Sequence, residues 1–343
     1  MTSPYYDTGG ATLWVGDCRA VLAELEPESV QMCVTSPPYW NLRDYGTGAW
    51  QGGEAECDHK RTDVLRRSYR PGLSEQGLSS WTNREVTTKA AFTMCRCGAV
   101  RTDHQIGLES SPSEYVAHIV EVFEAVRRVL KRDGVVFLNL GDCYSDKQLA
   151  GIPWRVAFAL QDAGFWLRSD IIWAKPNPMP ESVTDRPTKA HEYIFLMAKS
   201  QRYYYDAKAI LEPFANGDSW IGRAPTKKLK ENTSRNDGGS MPISADPNGR
   251  NKRSVWTITT KAYKGAHFAC FPPDLIEPCI LAGAPEGGTV LDPFAGSGTT
   301  LMVARQHNRR AIGIELNPDY IPLILERCGV SARPVVPQSA ISA

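Results

Sequence analysis

The sequence lacks two features that would assign it to a broad class at once: a long apolar run and an excess of charge of one sign. No apolar stretch approaches the length needed to span a membrane. Lys and Arg total 39 against 38 Asp and Glu, a formal net charge of +1, so a polyanionic partner would need a local basic patch. Residues 1–10 are polar and lack the apolar core of a signal peptide. We therefore expect a cytoplasmic protein without a membrane partner.

Cysteine is present but does not form a regular framework. Nine cysteines are scattered over 343 residues, unlike the dense, even spacing of a small disulfide-rich secreted domain, so reduced thiols are expected. The chain is long enough for one large domain or two ordinary ones. A composition of 42% hydrophobic and 22% charged residues is typical of a soluble globular protein.

Hydrophobic periodicity predicts an α/β protein, because short apolar strands alternate with amphipathic helices at both ends of the chain. Ser113 and Gly134 are the predicted boundaries of a central helix. The predicted strands are 11–15, 30–34, 135–140, 166–173, 194–198, 289–291 and 311–314. The predicted helices are 18–25, 113–134, 154–163, 275–282, 301–307 and 317–328.

The C-terminal part has the pattern of a nucleoside-binding half of a doubly wound sheet. A strand is followed by the turn Gly296-Ser-Gly298, a helix, a second strand and the acid Glu315. Glycines let the backbone approach a ligand, and an acid about 20 residues further on accepts hydrogen bonds from ribose hydroxyls. Asp292 at the strand end would repel a pyrophosphate but suits a cationic ligand. S-adenosylmethionine is such a ligand.

A stiff loop follows the apolar run 30–34: Thr35-Ser36-Pro37-Pro38-Tyr39-Trp40. Two prolines end the hydrogen-bonded ladder of the strand at once and leave carbonyl groups without strand partners. A hydroxyl, these carbonyls and an aromatic ring are suited to holding a planar amide-like ring. A proline-stiffened loop without chemistry is the alternative.

The order of these segments predicts a circularly permuted sheet. The C-terminal part supplies the first two strands, and the N-terminal part supplies the third and fourth strands of the same half. Asp17 then falls at a strand end, where its carboxylate is placed to accept from an adenine amino group. Residues 36–39 fall at the next strand end, beside the methyl donor.

With these residues the chain resembles the β-group of amino-group (N4-cytosine/N6-adenine) site-specific DNA methyltransferases, in which the catalytic motif precedes the cofactor motif. Residues 35–39 are similar to the catalytic motif, and residues 292–300 are similar to the cofactor motif. Segments 138–142, 172–175, 191–193 and 267–273 also resemble this group. The resemblance covers nearly all of the chain except 41–112 and 216–253.

The resemblance implies methyl transfer from S-adenosylmethionine to an exocyclic amine of a base flipped out of duplex DNA. The Ser36 hydroxyl and the Pro37 carbonyl would accept from that amine, and Tyr39 would stack on the base, without a covalent intermediate. The expected catalytic residues are Ser36, Pro37, Pro38 and Tyr39. The expected cofactor-binding residues are Asp17, Thr35, His267, Phe271, Pro272, Asp292, Pro293, Phe294, Gly296, Ser297, Gly298, Thr299, Glu315 and Asn317.

Serine before Pro-Pro-Tyr resembles the N4-cytosine members, whereas Asp or Asn there resembles the N6-adenine members. We therefore expect cytosine as the target, with adenine as the alternative. Two further classes stay open: a DNA-binding relative that has lost methyl transfer, and a methyltransferase that acts on RNA or protein. His191 and Glu192, Cys279 and Trp256 are interpreted as structural residues.

A separate cluster of soft ligands lies in the irregular stretch 41–112. Cys57, His59, Cys95 and Cys97 are enough for a closed tetrahedral zinc site, although their spacing is tighter than usual. His104 is a substitute ligand, and reduced thiols without a metal are the alternative. The motifs of the resembling family do not require this metal.

The predicted organisation is one catalytic domain with two insertions. Residues 1–40, 113–215 and 254–330 form the catalytic methyltransferase domain, of the doubly wound Rossmann-like type. Residues 41–112 form an insertion with the zinc site and a DNA contact, 176–253 a target-recognition region with a mobile basic loop, and 331–343 a flexible tail. The basic stretches 60–70 and 223–253 either contact phosphates or are solvated. The expected partners are duplex DNA and a cognate restriction endonuclease, with the protein a monomer or a homodimer.

Overall fold

The computed structural model describes residues 4–8, 10–54, 56–59, 95–214, 248–260 and 271–329. The predictions for His267, the arginines of 61–70, most of the basic loop and the tail 331–343 lie outside these residues. The strands are β1 Tyr6–Asp7, β2 Ala11–Val15, β3 Val30–Thr35, β4 Ala49–Gln51, β5 Val100–Thr102, β6 Leu130–Leu140, β7 Tyr144–Ser145, β8 Gln148–Leu149, β9 Trp166–Ala174, β10 His191–Ala198, β11 Val255–Thr257, β12 Thr289–Asp292 and β13 Arg310–Glu315. The α-helices are α1 Cys18–Glu24, α2 Pro112–Val129, α3 Ile152–Asp162, α4 Pro273–Gly283, α5 Thr299–Gln306 and α6 Ile321–Arg327.

Nine of the described strands form one sheet in the order β1-β2-β13-β12-β3-β6-β10-β9-β11. The five neighbours from β2 to β6 are mutually parallel, and β10 runs antiparallel to both of its neighbours. The short strand β1 is antiparallel to β2 at one edge. This is the mixed, mostly parallel sheet of a doubly wound α/β fold, as predicted.

The chain order within the sheet confirms the circular permutation. Strand β12, from the C-terminal part, lies between β13 and the N-terminal strand β3, with Val290 opposite Met32. Strand β2 completes the half on the other side of β13, with Ile312 opposite Thr12. The direction of winding therefore reverses between β12 and β3, and in open α/β sheets ligands bind at such a reversal.

Helices cover both faces of the sheet because its central strands are apolar on both faces. Successive residues of β3 point to opposite faces. Met32 belongs to the core packed under α4, α5 and α6, whereas Cys33 belongs to the core packed under α1, α2 and α3. Trp256, interpreted as a core residue, is buried in the first of these cores.

The predicted boundaries of the central helix were wrong. The N-cap of α2 is Ser111, whose hydroxyl accepts from the backbone N–H of Glu114 at 3.2 Å, rather than Ser113. Pro112 takes the first helical position, where a missing N–H costs nothing. The helix ends at Val129, and Gly134 lies within β6, because Leu130 turns to an extended conformation and pairs with Val30.

The described parts of the insertion, 41–54, 56–59 and 95–112, contain regular structure that their lack of periodicity did not indicate. Strands β4 and β5 form an antiparallel hairpin, with Trp50 opposite Arg101. Its two strands come from opposite ends of the insertion, so no local pattern in the sequence announces the pairing. Among the helices of the described ranges, none is both long enough and apolar enough to cross a membrane.

Candidate active site

An open cavity, whose space of about 850 Å³ includes adjoining solvent, lies at the carboxyl ends of the central strands. This is the position at which a doubly wound sheet binds its ligand. Ten of the predicted catalytic and cofactor residues line the cavity: Asp17, Ser36, Pro38, Phe271, Pro293, Phe294, Gly296, Ser297, Thr299 and Glu315. The predicted catalytic loop and the predicted cofactor loop therefore share one cavity.

Glu315 and the glycine loop form the part of the wall suited to a ribose. The Glu315 carboxylate accepts from the backbone N–H of Gly296 at 2.7 Å and of Asn317 at 2.8 Å. Burial raises the pKa of Glu315 to about 7. The two backbone hydrogen bonds orient the carboxylate and leave it further lone pairs with which to accept from ligand hydroxyls.

Asp292 lies behind the cavity wall instead of in it. Its buried carboxylate accepts from the Thr35 hydroxyl at 2.6 Å, from the Thr300 hydroxyl at 2.5 Å and from the Phe294 backbone at 3.1 Å. Burial raises the pKa of Asp292 above its usual value. In this position the residue ties the end of β3 to the loop after β12, so Thr35 and Asp292 support both halves of the cavity.

Asp17 lies at the cavity, two residues after strand β2, and is the N-cap of helix α1. Its carboxylate accepts from the backbone N–H of Arg19 at 2.9 Å, which caps the helix, and from the Arg19 guanidinium at 2.6 Å. Although burial acts to raise its pKa, the hydrogen bonds and charge of Arg19 hold that pKa below the usual value. Asp17 is therefore a fixed anionic acceptor at the wall.

The other predicted cofactor residues have different surroundings. Gly298 has a left-handed backbone (φ +75°) and precedes α5, and a Cβ there would lie 2.9 Å from Ile324 Cγ2. Asn317 accepts from the backbone of Asp319, and its amide donates to the Tyr45 carbonyl at 3.3 Å. Pro272 precedes α4, next to the cavity residue Phe271. Their predicted contacts with a cofactor stay predictions.

One wall of the cavity comes from the insertion, which sequence reasoning did not assign to the cofactor site. Tyr45, Thr47, His104, Gln105 and Ile106 line the cavity. Gln105 accepts from the Tyr45 backbone at 2.7 Å and donates to the Arg43 carbonyl at 2.8 Å, which joins the two ends of the insertion. These residues follow no periodicity or motif that could have pointed to them.

The catalytic loop is held by a chain of hydrogen bonds. The Ser36 hydroxyl donates to the Tyr39 hydroxyl at 3.1 Å, and Tyr39 donates to the Glu192 carboxylate at 2.7 Å. Burial and the charge of Glu192 raise the pKa of Tyr39 well above its usual value. The ring of Tyr39 lies against the backbone of Gly141, where a Cβ would approach it to 2.5 Å.

Glu192 is a member of this network, whereas the sequence pattern indicated only a structural role for it. The Asn139 amide donates to Tyr39 at 2.8 Å and to Glu192 at 3.0 Å, and the Lys175 ammonium pairs with the same carboxylate. Asn139 lies on β6, Lys175 directly follows β9, and Glu192 lies on β10, in three of the segments that resemble family motifs. Their resemblance was the available signal.

The loop carbonyls differ in their partners. The Tyr115 hydroxyl donates to the Pro38 carbonyl at 2.9 Å, whereas no hydrogen bond from the described residues ends on the Pro37 carbonyl. Trp40 is buried, and its indole N–H donates to the Glu109 carbonyl at 3.0 Å. Ser36 lines the cavity, whereas Pro37 is buried and is not among the residues that line it.

The remaining candidates are the cysteines and histidines outside the catalytic and cofactor loops. Cys279 is buried within α4 and its thiol donates to the Leu275 carbonyl at 3.5 Å, so the structural interpretation is confirmed. Cys57, His59, Cys95 and Cys97 come together, with one ligand atom from each within 4.8 Å of the others. His104, the substitute ligand, lines the cavity instead.

Comparison with known proteins identifies the class of this site. A family model described as DNA methylase, N6_N4_Mtase, matches residues 30–326. The Type II methyltransferase M.Cfr9I of Citrobacter freundii is 37% identical, over 94% of this chain and 88% of its own length. The Type II methyltransferase M.SmaI of Serratia marcescens is 36% identical, over 91% and 89%.

Two solved structures share the fold. The PvuII DNA methyltransferase (cytosine-N4-specific) has a TM-score of 0.60 at 18% identity and covers 99% of this chain and 93% of its own. A putative DNA modification methylase from Thermus thermophilus, complexed with S-adenosyl-L-methionine, has a TM-score of 0.53 at 21% identity, over 92% and 94%. The Rossmann-like methyltransferase fold of this chain is therefore established.

Proposed function

Because the chain belongs to the N6/N4 family of DNA methylases, and is an S-adenosylmethionine-dependent amino-methyltransferase, we propose that its acceptor is the N4 amino group of cytosine in duplex DNA. The observation that carries this proposal is the position of Ser36. Its hydroxyl lines the cofactor cavity and donates to Tyr39, which leaves its oxygen lone pairs as acceptors at the cavity mouth.

The cavity has the acceptors that the cofactor needs. Glu315 would accept from the ribose hydroxyls, Asp17 would accept from the adenine amine, and the backbone of the glycine loop would allow close approach. Phe271, Pro293 and Phe294 supply apolar wall. When bound, S-adenosylmethionine supplies an electrophilic methyl group next to the catalytic loop.

The catalytic loop activates the amine by accepting its two hydrogens. A base amine is a poor nucleophile because its lone pair is conjugated with the ring. Hydrogen bonds to the Ser36 hydroxyl and the Pro37 carbonyl draw the lone pair out of conjugation and aim it at the cavity. Ser36 donates to Tyr39, and Tyr39 donates to the negatively charged Glu192 carboxylate. Because successive hydrogen bonds polarise one another, this chain makes the Ser36 oxygen a stronger acceptor. Direct transfer follows from positioning and needs no covalent intermediate on the protein.

Tyr39 has a second proposed role against the face of the base. A base inside duplex DNA cannot reach the cavity, so the target nucleotide has to be flipped out of the stack. The hydroxyl of Tyr39 is fixed by Asn139 and Glu192, and one side of its ring lies against Gly141. A fixed ring is a preorganised stacking surface for the flipped base.

The choice of cytosine over adenine depends on Ser36. Serine at the head of Pro-Pro-Tyr is the feature shared with N4-cytosine members, and N6-adenine transfer on the same scaffold is the alternative. The likeness to the cytosine-N4-specific PvuII enzyme extends to the fold alone. The relatives are named Type II methyltransferases, which supports a cognate restriction endonuclease as the partner enzyme. Their bacterial sources support a location in the bacterial cytoplasm. Residues 41–112 and 176–253 are the proposed DNA-contacting regions.

The test is product analysis. The purified protein is incubated with labelled S-adenosylmethionine and unmethylated duplex DNA, and the nucleosides are separated by mass spectrometry. We expect N4-methylcytosine. N6-methyladenine as the sole product would establish the alternative. Label in RNA or protein but in no duplex would overturn the DNA proposal, and cofactor binding without transfer would indicate an inactive relative. Genome sequencing that detects modified bases in an expressing host gives the recognition site.

A further inference from the structure

The cluster of Cys57, His59, Cys95 and Cys97 lies on the insertion, outside the catalytic loop and the cofactor loop. We propose that these four residues bind one structural zinc ion, and that the ion fixes the hairpin β4–β5 as a wall of the cofactor cavity. His59 and Cys95 are 36 positions apart, which makes this a non-local site. The metal site itself is independent of which base is methylated.

The distances fit a four-coordinate ion. Cys57 Sγ lies 3.6 Å from Cys95 Sγ, and Cys97 Sγ lies 3.4 Å from His59 Nδ1. Zn–S and Zn–N bonds of about 2.3 and 2.0 Å in a tetrahedron separate two sulfurs by about 3.8 Å and a sulfur from a nitrogen by about 3.5 Å. All four ligand atoms lie within 4.8 Å of one another, so a small adjustment of the side chains would bring the wider pairs to a shared centre.

The backbone presents the four ligands from two turns. The N–H of Gly98 donates to the Cys95 carbonyl at 2.9 Å, and the N–H of Cys95 donates to the Ala99 carbonyl at 2.8 Å. This turn brings the thiols of Cys95 and Cys97 to one side. A second turn, with the Cys57 N–H donating to the Glu54 carbonyl at 3.1 Å, presents Cys57.

The imidazole of His59 is oriented by Trp50 on β4. The two rings stack with centroids 5.6 Å apart and an angle of 28° between their planes. Trp50 is in turn paired with Arg101 of β5. The ligand cluster and the hairpin are therefore one packed unit rather than two features that are merely close in sequence.

The chemical types of the four ligands favour zinc over the hard divalent metals. Three thiols and one imidazole are soft or borderline ligands, which favour Zn²⁺ over the oxygen-preferring Mg²⁺ and Ca²⁺. Four protein ligands complete a tetrahedron and leave no position for water or substrate. The site is accordingly a structural one.

The opposite end of the hairpin reaches the cavity. Thr47 donates to the Asp103 carboxylate at 2.7 Å, and Arg101 pairs with Asp44 at 3.2 Å and with Asp103 at 2.9 Å. These contacts carry the segments 43–47 and 103–106, which supply five cavity residues. A zinc ion at the other end of the hairpin limits the conformational freedom of segments 43–47 and 103–106. Zinc should therefore strengthen cofactor binding without contacting the cofactor.

The experiment measures metal first and cofactor second. The full chain is purified without chelators, and its zinc content is determined by elemental mass spectrometry. We expect about one zinc per chain, release on titration of the thiols with a mercurial reagent, and thiolate-to-metal charge-transfer bands when Co²⁺ replaces Zn²⁺. Wild-type protein that lacks zinc and takes up neither Zn²⁺ nor Co²⁺ would overturn the proposal.

Two matched variants separate ligation from loss of a thiol. Cys97→Ser should lose most of the zinc, whereas Cys328→Ser, which removes a thiol at the end of α6, should keep it. His59→Cys retains a zinc-binding side chain and should keep the metal. If Cys97→Ser does not fold, the wild-type metal content and the mercurial titration still decide the question. Equal zinc in Cys97→Ser and the wild type would contradict the ligand assignment.

Cofactor affinity tests the coupling. Calorimetry with S-adenosylhomocysteine should show at least tenfold weaker binding after zinc removal, restored by Zn²⁺. Unchanged affinity in zinc-free protein would leave a metal site but refute the coupling to the cavity. Failure to methylate cytosine would refute the proposed function and would leave both of these measurements intact.

Discussion

The Tyr39 hydroxyl donates a 2.7 Å hydrogen bond to the Glu192 carboxylate, although the two residues are 153 positions apart. The contact joins the catalytic loop after β3 to strand β10, on the other side of β6. Asn139, from β6 between them, donates to both partners. The loop that we propose holds the target amine is therefore positioned by the antiparallel half of the sheet, and not only by its own prolines.

Glu192→Gln should lower kcat about 10- to 100-fold, because it removes the charge that orients Tyr39 and through it Ser36. Glu192 acts through other residues and does not reach the cofactor cavity, so the Kd for S-adenosylhomocysteine should stay within about twofold. Single-turnover methylation and calorimetry measure the two effects. Glu24→Gln, an exposed change on α1, is the control. A loss confined to KM for DNA would show that Glu192 does not position the loop.

Ser36→Ala should reduce the methylation rate about 100-fold, since it removes one of the two acceptors that we propose for the amine. The cofactor should still bind, because the alanine leaves Glu315, Asp17 and the glycine loop intact. Rates are measured with saturating DNA and cofactor. Ser29→Ala, in the turn before β3, removes a serine hydroxyl away from the cavity and should leave the rate unchanged. A Ser36→Ala enzyme with wild-type activity would eliminate this residue as the amine acceptor.

Cofactor affinity should rise with pH through about 7. The pKa of Glu315 is raised from 4.5 to about 7 by burial, and its ionised form is the better acceptor for ribose hydroxyls. Binding then releases a proton near pH 6.5, which calorimetry detects as a dependence of the heat on the buffer. Glu315→Gln should bind more weakly and lose this pH dependence. Proton uptake by the wild type would contradict the assignment.

The raised pKa of Glu315 also affects folding stability, and here the effect of pH is opposite to its effect on cofactor affinity. Between pH 4.5 and 7 the folded protein holds a proton at Glu315 that the unfolded chain has released, so this contribution falls as pH rises and is constant above the folded pKa. Denaturant unfolding without cofactor should therefore show a smaller decline over this interval in Glu315→Gln than in the wild type. An identical pH dependence in the two proteins would show that Glu315 is not the group responsible.

Gly298→Ala should destabilise the fold more than Gly287→Ala. Both glycines have a left-handed backbone, at φ +75° and +72°, which costs alanine about 1 kcal/mol. At Gly287 a Cβ would enter open space, whereas at Gly298 it would lie 2.9 Å from Ile324 Cγ2, which adds about 1–3 kcal/mol of overpacking. Urea unfolding of both variants measures the difference. Equal losses would show that α6 moves aside without cost.

Much of the fold and part of the site follow from the sequence because their causes are local. The apolar run 30–34 forms β3, and the two prolines that follow it end the strand. Gly296, Gly298 and Glu315 have the spacing of a strand–turn–helix–strand unit. The order of these segments was enough to predict a permuted sheet. The loop with Ser36 and the loop with Gly296 line one cavity, at the neighbouring strand ends where the order of the segments places them.

Only the tertiary structure decided which distant groups meet. Asp292 has the sequence position of a ligand-binding carboxylate, yet its oxygens are taken by Thr35 and Thr300 behind the wall. No residue close to Glu192 in the sequence indicated that its carboxylate accepts a hydrogen bond from Tyr39. Hydrophobic period and turn chemistry extend over a few residues, whereas hydrogen bonds between loops of different strands depend on sheet order and register. The identities of the active residues are local information, and their partners are a property of the folded sheet.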